Sequence, residues 1–154
     1  MIAEQAADLA ARIRTVSALA TRAGLALGGQ GTDPSLIKVP LPAAWIMYMH
    51  DQVDEVPYGQ QSRNSPGNVP SVEVMIGTFS VVIYVPYVDE NDLLTVQFPL
   101  LESVIKAVKL GGGAVNDARV APAGMRWRYL GQKLSLVYPD RLAYEQHYTL
   151  NFPL

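Results

Sequence analysis

The last stretch of the chain, DRLAYEQHYTLNFPL, alternates with a period of two. Leu142, Tyr144, Gln146, Tyr148, Leu150 and Phe152 fall on one side, and Arg141, Ala143, Glu145, His147, Thr149 and Asn151 on the other. That spacing predicts a half-buried β-strand. The opening of the chain has a different period: Ile2, Ala6, Leu9, Ile13, Val16 and Ala20 recur by fours and threes, which predicts an amphipathic helix from about Ala3 to Ala23, ended by Gly24 and the later glycines. Glu4, Asp8, Arg12, Thr15 and Arg22 oppose the stripe and read as its solvated face.

Between these ends, AAWIMYMH sets Trp45, Met47 and Met49 against Ile46, Tyr48 and His50, apolar enough on both sides for an interior strand. DQVDEVPYGQQSRNSPGNVP follows as a long polar loop, its most polar part at about 57–70. SVEVMIGTFSVVIYVPY resumes as strand, with a bend expected at Gly77 and with Phe79, Val81, Ile83 and Val85 sharing one face. A second helix is expected to start near Pro99, to run through Leu101, Val104, Ile105 and Val108, and to stop at the glycines after Leu110. DENDLLTVQF before it fits either a helical turn or a short strand. GMRWRYLGQKLSLVYP reads as strand, with turns at Gly131 and at Pro139-Asp140. The order is that of one α+β domain over residues 1–154, with two main helices packed on an antiparallel or mixed sheet.

Composition sharpens this picture in one respect. Charged residues make up 17% of the chain and apolar types 49%, against about a quarter charged in ordinary soluble domains. Something should therefore cover surface that a monomer would leave bare. The longest apolar runs are far shorter than the roughly 20 residues of a membrane-spanning helix, and MIAEQAADLA has neither the basic start nor the apolar core of a secretory signal. Protein partners, including further copies of the chain, are the better account. Residues 1–110 carry a net charge of -4 and 111–154 a net of +2, a polarity that copies meeting through opposite ends could use.

Candidate chemistry changes the picture little. With no cysteine, thiol catalysis, disulfides and cysteine-ligated zinc are excluded. GGQGTDP and LGGGAVN follow predicted helices and lack the P-loop lysine, so they read as a connector and a helix stop rather than phosphate cradles. His50 and His147 have no HExxH spacing, and the carboxylates of HDQVDE miss the ligand order of a calcium loop. The VDEND run, with Asp89, Glu90 and Asp92, could hold a divalent ion or a catalytic pair, but such charges more often cap the element that follows. No GxSxG elbow is present. Arg126 and Arg128 alternate with Trp127, which places the arginines on an exposed face opposite a core tryptophan and suits them to a negatively charged protein partner. The slightly acidic balance, -2 overall, gives no footprint for nucleic acid.

In this order, AEQAADLAARIRTVSALA, AAWIMYMH and SVEVMIGTFSVVIYVPY around a long polar loop, PLLESVIKAVKL, and the closing RLAYEQHYTLNF, the chain resembles the phage tail terminator (tail-completion) proteins over nearly its whole length. It departs from them in its extended connector, TRAGLALGGQGTDPSLIKV, and in the length of its polar loop. The resemblance implies a virion protein, not an enzyme and without cofactor or metal. Such a protein is assembled in the host cytoplasm and placed at the head-proximal end of the tail. It forms a ring, expected to be hexameric, that stops tube growth and offers a surface for head joining. Its partners would be its own copies, the tail tube protein, the head-side connector or neck protein and, in a contractile tail, the sheath protein. A neck protein of similar size is the alternative within this class, and a small hydrolase or ligand-binding enzyme the alternative outside it. The residues expected to face partners are Tyr58, Gln60, Gln61 and Arg63 of the loop, with Arg126, Arg128, Arg141, Glu145 and His147.

Overall fold

The computed structural model of the protein describes residues 2–25, 40–57, 71–110 and 127–153. They form a five-stranded mixed sheet in the order β1-β2-β3-β5-β4, from β1 (Ala23–Leu25), β2 (Ala43–Pro57), β3 (Ser71–Pro86), β4 (Arg128–Val137) and β5 (Arg141–Pro153). Only β1 runs parallel to its neighbour; the other three pairings are antiparallel. Two helices cover one face, the α+β arrangement expected. The core lies between the layers. Ala6, Leu9, Ala10 and Ile13 of the first helix and Leu100, Leu101, Val104 and Val108 of the second pack on Ile46, Phe79, Val81, Ile83, Val85, Leu142 and Tyr148. A smaller cluster on the other face joins Val82, Tyr84 and Ala143 to Leu41, Trp45 and Met47, which is why β3 is apolar on both sides.

The first helix, α1 (Ile2–Ile13), ends some ten residues before the predicted Ala23. The Thr15 hydroxyl donates back to the carbonyl of Arg12, and the amides of Thr15 and Val16 reach only three residues back, so the turn tightens and opens. A short 3₁₀ turn, Ser17–Leu19, then reverses the chain into β1. Gly24 is therefore a strand residue facing the Trp45 ring, not a helix stop.

The other corrections concern polar residues that the sheet accepts. β2 does not stop at His50 but continues through Asp51 and Glu55 to Pro57, which stands opposite Ser71. Along this stretch β2 is an outer strand among the described residues, where polar side chains cost little. The irregularity near the expected bend lies in β2 at Met49, between Tyr48 and His50, whereas β3 passes through Gly77 without a break. The second helix starts at Glu90, not near Pro99, and runs as Glu90–Asp92, a wide π turn over Leu93–Gln97, and Phe98–Leu110. In the wide turn the amide of Phe98 bonds to the carbonyl of Leu93, which makes room for the Pro99 ring in mid-helix. Asp89 caps this helix, as expected of the run it belongs to, accepting from the Asp92 amide at 2.7 Å.

Pro139-Asp140 does turn the chain between β4 and β5, but Gly131 does not: it sits within β4 at a bulge with φ of 147°. Asp8 and Arg12 are not solvated either. Arg12 is buried, paired with Asp8 at 2.9 Å and bonded to the Val108 carbonyl, and Asp8 also accepts from the Trp127 indole at 2.8 Å.

Candidate assembly surface

The terminal strand is two-faced, as its alternation predicts, and both faces matter to the surface beside it. Toward the helices, Gln146 is fully buried. Its Nε2 donates to the Leu101 carbonyl and to Oε1 of Gln132 on β4, while Tyr148 donates to its Oε1 at 2.6 Å. Every polar capacity of a buried amide that could cost stability is thus engaged, and β4 is tied to β5 and to the second helix. Burial raises the Tyr148 hydroxyl far above the usual tyrosine range, which keeps it a donor.

On the opposite face, Glu145 is the centre of a polar group. Nε2 of His147 stands 2.6 Å from Glu145 Oε1, Ser80 Oγ donates to the same oxygen at 3.0 Å, and Lys133 lies 3.8 Å from Oε2. Burial pushes the Glu145 carboxyl up, but the hydrogen bonds of His147 and Ser80 and the Lys133 charge outweigh it, and the net direction is down. The contacts run serine–carboxylate–histidine. In a nucleophilic triad the histidine stands between the other two, an order these contacts do not have; what they do is brace β3, β4 and β5 together through Glu145.

Of the residues expected at a partner surface, Glu145 and His147 come together in this brace. Arg141 lies apart from them at the β4–β5 turn, paired with Asp140 at 3.0 Å, and that hydrogen bond holds the Asp140 carboxyl below its usual range. Arg128 is exposed at the start of β4, opposite Thr149. Tyr58, Gln60, Gln61, Arg63 and Arg126 lie outside the described residues, as do the two glycine-rich runs.

The more telling surface is β4 itself, which alternation in the sequence did not single out. It is an edge strand among the described residues, and it exposes Leu130 (58%), Leu134 (49%), Leu136 (40%) and Val137 (66%). Leu134 faces the helix side beside Tyr144, whose ring meets Phe98 edge-on at 6.4 Å; Phe98 and Leu94 on the second helix are exposed too. An apolar strip thus runs from the helix onto the edge strand. The signal that could have revealed it was KLSLV, apolar on both sides at a place where one of the two bulges of β4 breaks the ladder. Exposed edges of this kind are sites of strand addition unless something covers them.

A cleft of about 140 Å³ between Thr21–Gly24, Pro40 and Trp45 is much smaller than the few hundred Å³ usual for small-molecule sites. Among the described residues no group of three His, Cys, Asp or Glu could hold a metal ion, and no helix is long and apolar enough to cross a membrane. Compared with known protein families and with curated proteins, the chain matches no family model and no curated sequence.

Proposed function

We propose that the chain is a structural subunit of a phage tail: a ring of copies, six on the resemblance described above, that closes the head-proximal end of the tail tube, ends its polymerisation and presents a surface to the head-side connector. The observation that carries this reading is the apolar edge of β4, an outer strand among the described residues, with Leu130, Leu134, Leu136 and Val137 exposed on a chain only 17% charged. A subunit that lives in a ring leaves such an edge for its neighbour, whereas a monomer would be expected to blunt it with charge, proline or a covering loop. The α+β layering agrees with the order of elements on which the resemblance rests. The proposed function needs no cofactor and no catalytic group; Glu145, His147 and Ser80 serve as a brace. The partners are further copies, the tube protein and the connector, with the sheath added in a contractile tail.

The experiment is assembly without the protein. Tail tubes made in its absence should be overlong and unable to join heads, and purified chain added back should restore both length and joining. Tubes of normal length that join heads without it would refute the reading.

A further inference from the structure

The sheet has a second open edge. β1 pairs with β2 only at Ala44–Ile46, so from Met47 to Pro57 the far side of β2 has no strand beside it among the described residues. This stretch, MYMHDQVDEVP, carries Asp51, Asp54 and Glu55 with no lysine or arginine, and it exposes Tyr48, Met49 and Val53. The edge of β4, RYLGQKLSLV, has the opposite character: Arg128 and Lys133 with no carboxylate, and four exposed apolar side chains. Among the described residues the two open edges are on opposite sides of one sheet, opposite in the charge that their sequences carry and alike in apolar exposure.

Strand direction fits them together. β2, β3, β5 and β4 alternate in direction across the sheet, so β4 runs antiparallel to β2. Setting β4 of one copy against the open side of β2 in the next, with both sheets facing the same way, makes an antiparallel pair, as strand addition does elsewhere. The registers also give the offset. Arg128 stands level with Thr149, Thr78 and His50, and Val137 level with Leu142 and Val85 near the start of β2. Side by side without a step, only the stretch from Met47 to His50 would meet β4; the contact inferred here is the staggered one, as closed sheets require, with Arg128 moved from the level of His50 to that of Glu55, which sets Val137 level with Met47 and brings Ser135 within a few residues of Gln52.

Resting on the ring reading above, we infer that the copies join head to tail, the apolar, basic edge of β4 adding to the apolar, acidic edge of β2 in the neighbouring copy. A repeated heterologous contact of this kind closes into a ring or runs on as a filament, and it cannot stop at a two-fold dimer. The like-with-like alternative, β4 against β4, would bring together two strands that carry Arg128 and Lys133 and no carboxylate.

The chain has no cysteine, so single cysteines report the contact without background. Ser135→Cys on β4 and Gln52→Cys on β2 both replace exposed polar residues. Full-length S135C and Q52C proteins, purified separately, are mixed, brought to a concentration at which light scattering shows oligomers, and treated with a short bismaleimide. Cross-linked dimers are expected in the mixture and in neither protein alone, and the double variant should give a ladder ending at a closed ring. Cross-linking of S135C to itself would overturn the inference in favour of a two-fold edge contact. A chain that remains monomeric at every concentration, or oligomers without mixed cross-links, would also overturn it. A ring seen at the tail end without mixed cross-links would reject this contact and leave the tail-capping reading standing; mixed cross-links with tails indifferent to the protein would do the reverse.

Discussion

Arg12 on the first helix donates from Nη1 to the backbone carbonyl of Val108 on the second, 2.9 Å away and 96 residues further along the chain. Its Nε is paired with Asp8, which also holds the Trp127 indole. One buried charge pair thus joins both helices to the lead-in of β4. Breaking such a pair leaves an uncompensated charge and typically costs about 3–5 kcal/mol. Arg12→Ala should therefore lower stability by about 3 kcal/mol in urea unfolding, with Trp127→Phe losing less. Adding Asp8→Asn to the Arg12 variant should cost much less than it does alone, because the orphaned carboxylate is removed. Additive losses would show that the pair does not act as a unit.

Gly131 gives a prediction of a different kind. Its φ of 147° is in a region that favours glycine, yet a Cβ built there meets nothing within 4 Å. Any loss in Gly131→Ala is then conformational rather than steric, of order 1–3 kcal/mol. The urea midpoint should fall accordingly. A midpoint unchanged within error would mean that β4 can relax its bulge without cost, and that the edge is not held in this shape.

Glu145 predicts how stability depends on acid. Its folded carboxyl lies below its usual range, so its contribution is present above the unfolded value of about 4.3 and is lost as pH falls through the folded one. The stability gap between wild type and Glu145→Gln should be widest near neutrality and should narrow as pH drops below about 4. A gap that grows with acidification would reverse the assigned direction and contradict the brace.

These details also show what the sequence could and could not reveal. The alternation of Leu142 to Tyr148 and the stripe through Leu9 and Ile13 were legible because each is a local periodicity with a buried face. The end of the first helix was not, since the apolar spacing carries on through Val16 and Ala20 while the Thr15 hydroxyl opens the turn. Pro99 looked like a helix start because proline commonly stands there; the wide turn that admits it mid-helix leaves no mark in composition. Gly131 has the same ambiguity, as bulges and turns use glycine for the same freedom. Asp8 and Arg12 looked solvated because their burial depends on Val108 and Trp127, far away in sequence. The candidate surface was least legible, since which strand forms an edge is a property of topology, and neither KLSLV nor HDQVDE states its place in the sheet.

Tyr58–Pro70, outside the described residues, links strand ends that face each other in register, Pro57 opposite Ser71. A hairpin needs about 2–5 residues for this, and the closure entropy of a longer link grows slowly. Replacing Gln60–Asn68 with a short glycine-containing turn should leave thermal stability nearly unchanged, and on the proposed function should give tails that are overlong or do not join heads. Normal tails from the shortened protein would remove the loop, with Tyr58, Gln60, Gln61 and Arg63, from the partner surface.

The central claim is tested most directly by locating the protein in assembled tails. Cryo-electron microscopy of tails carrying a tagged version of the chain should show one closed ring of copies, six on the proposed reading, at the head-proximal end of the tube and nowhere else. A single copy at the end, or copies spread along the tube, would contradict the account.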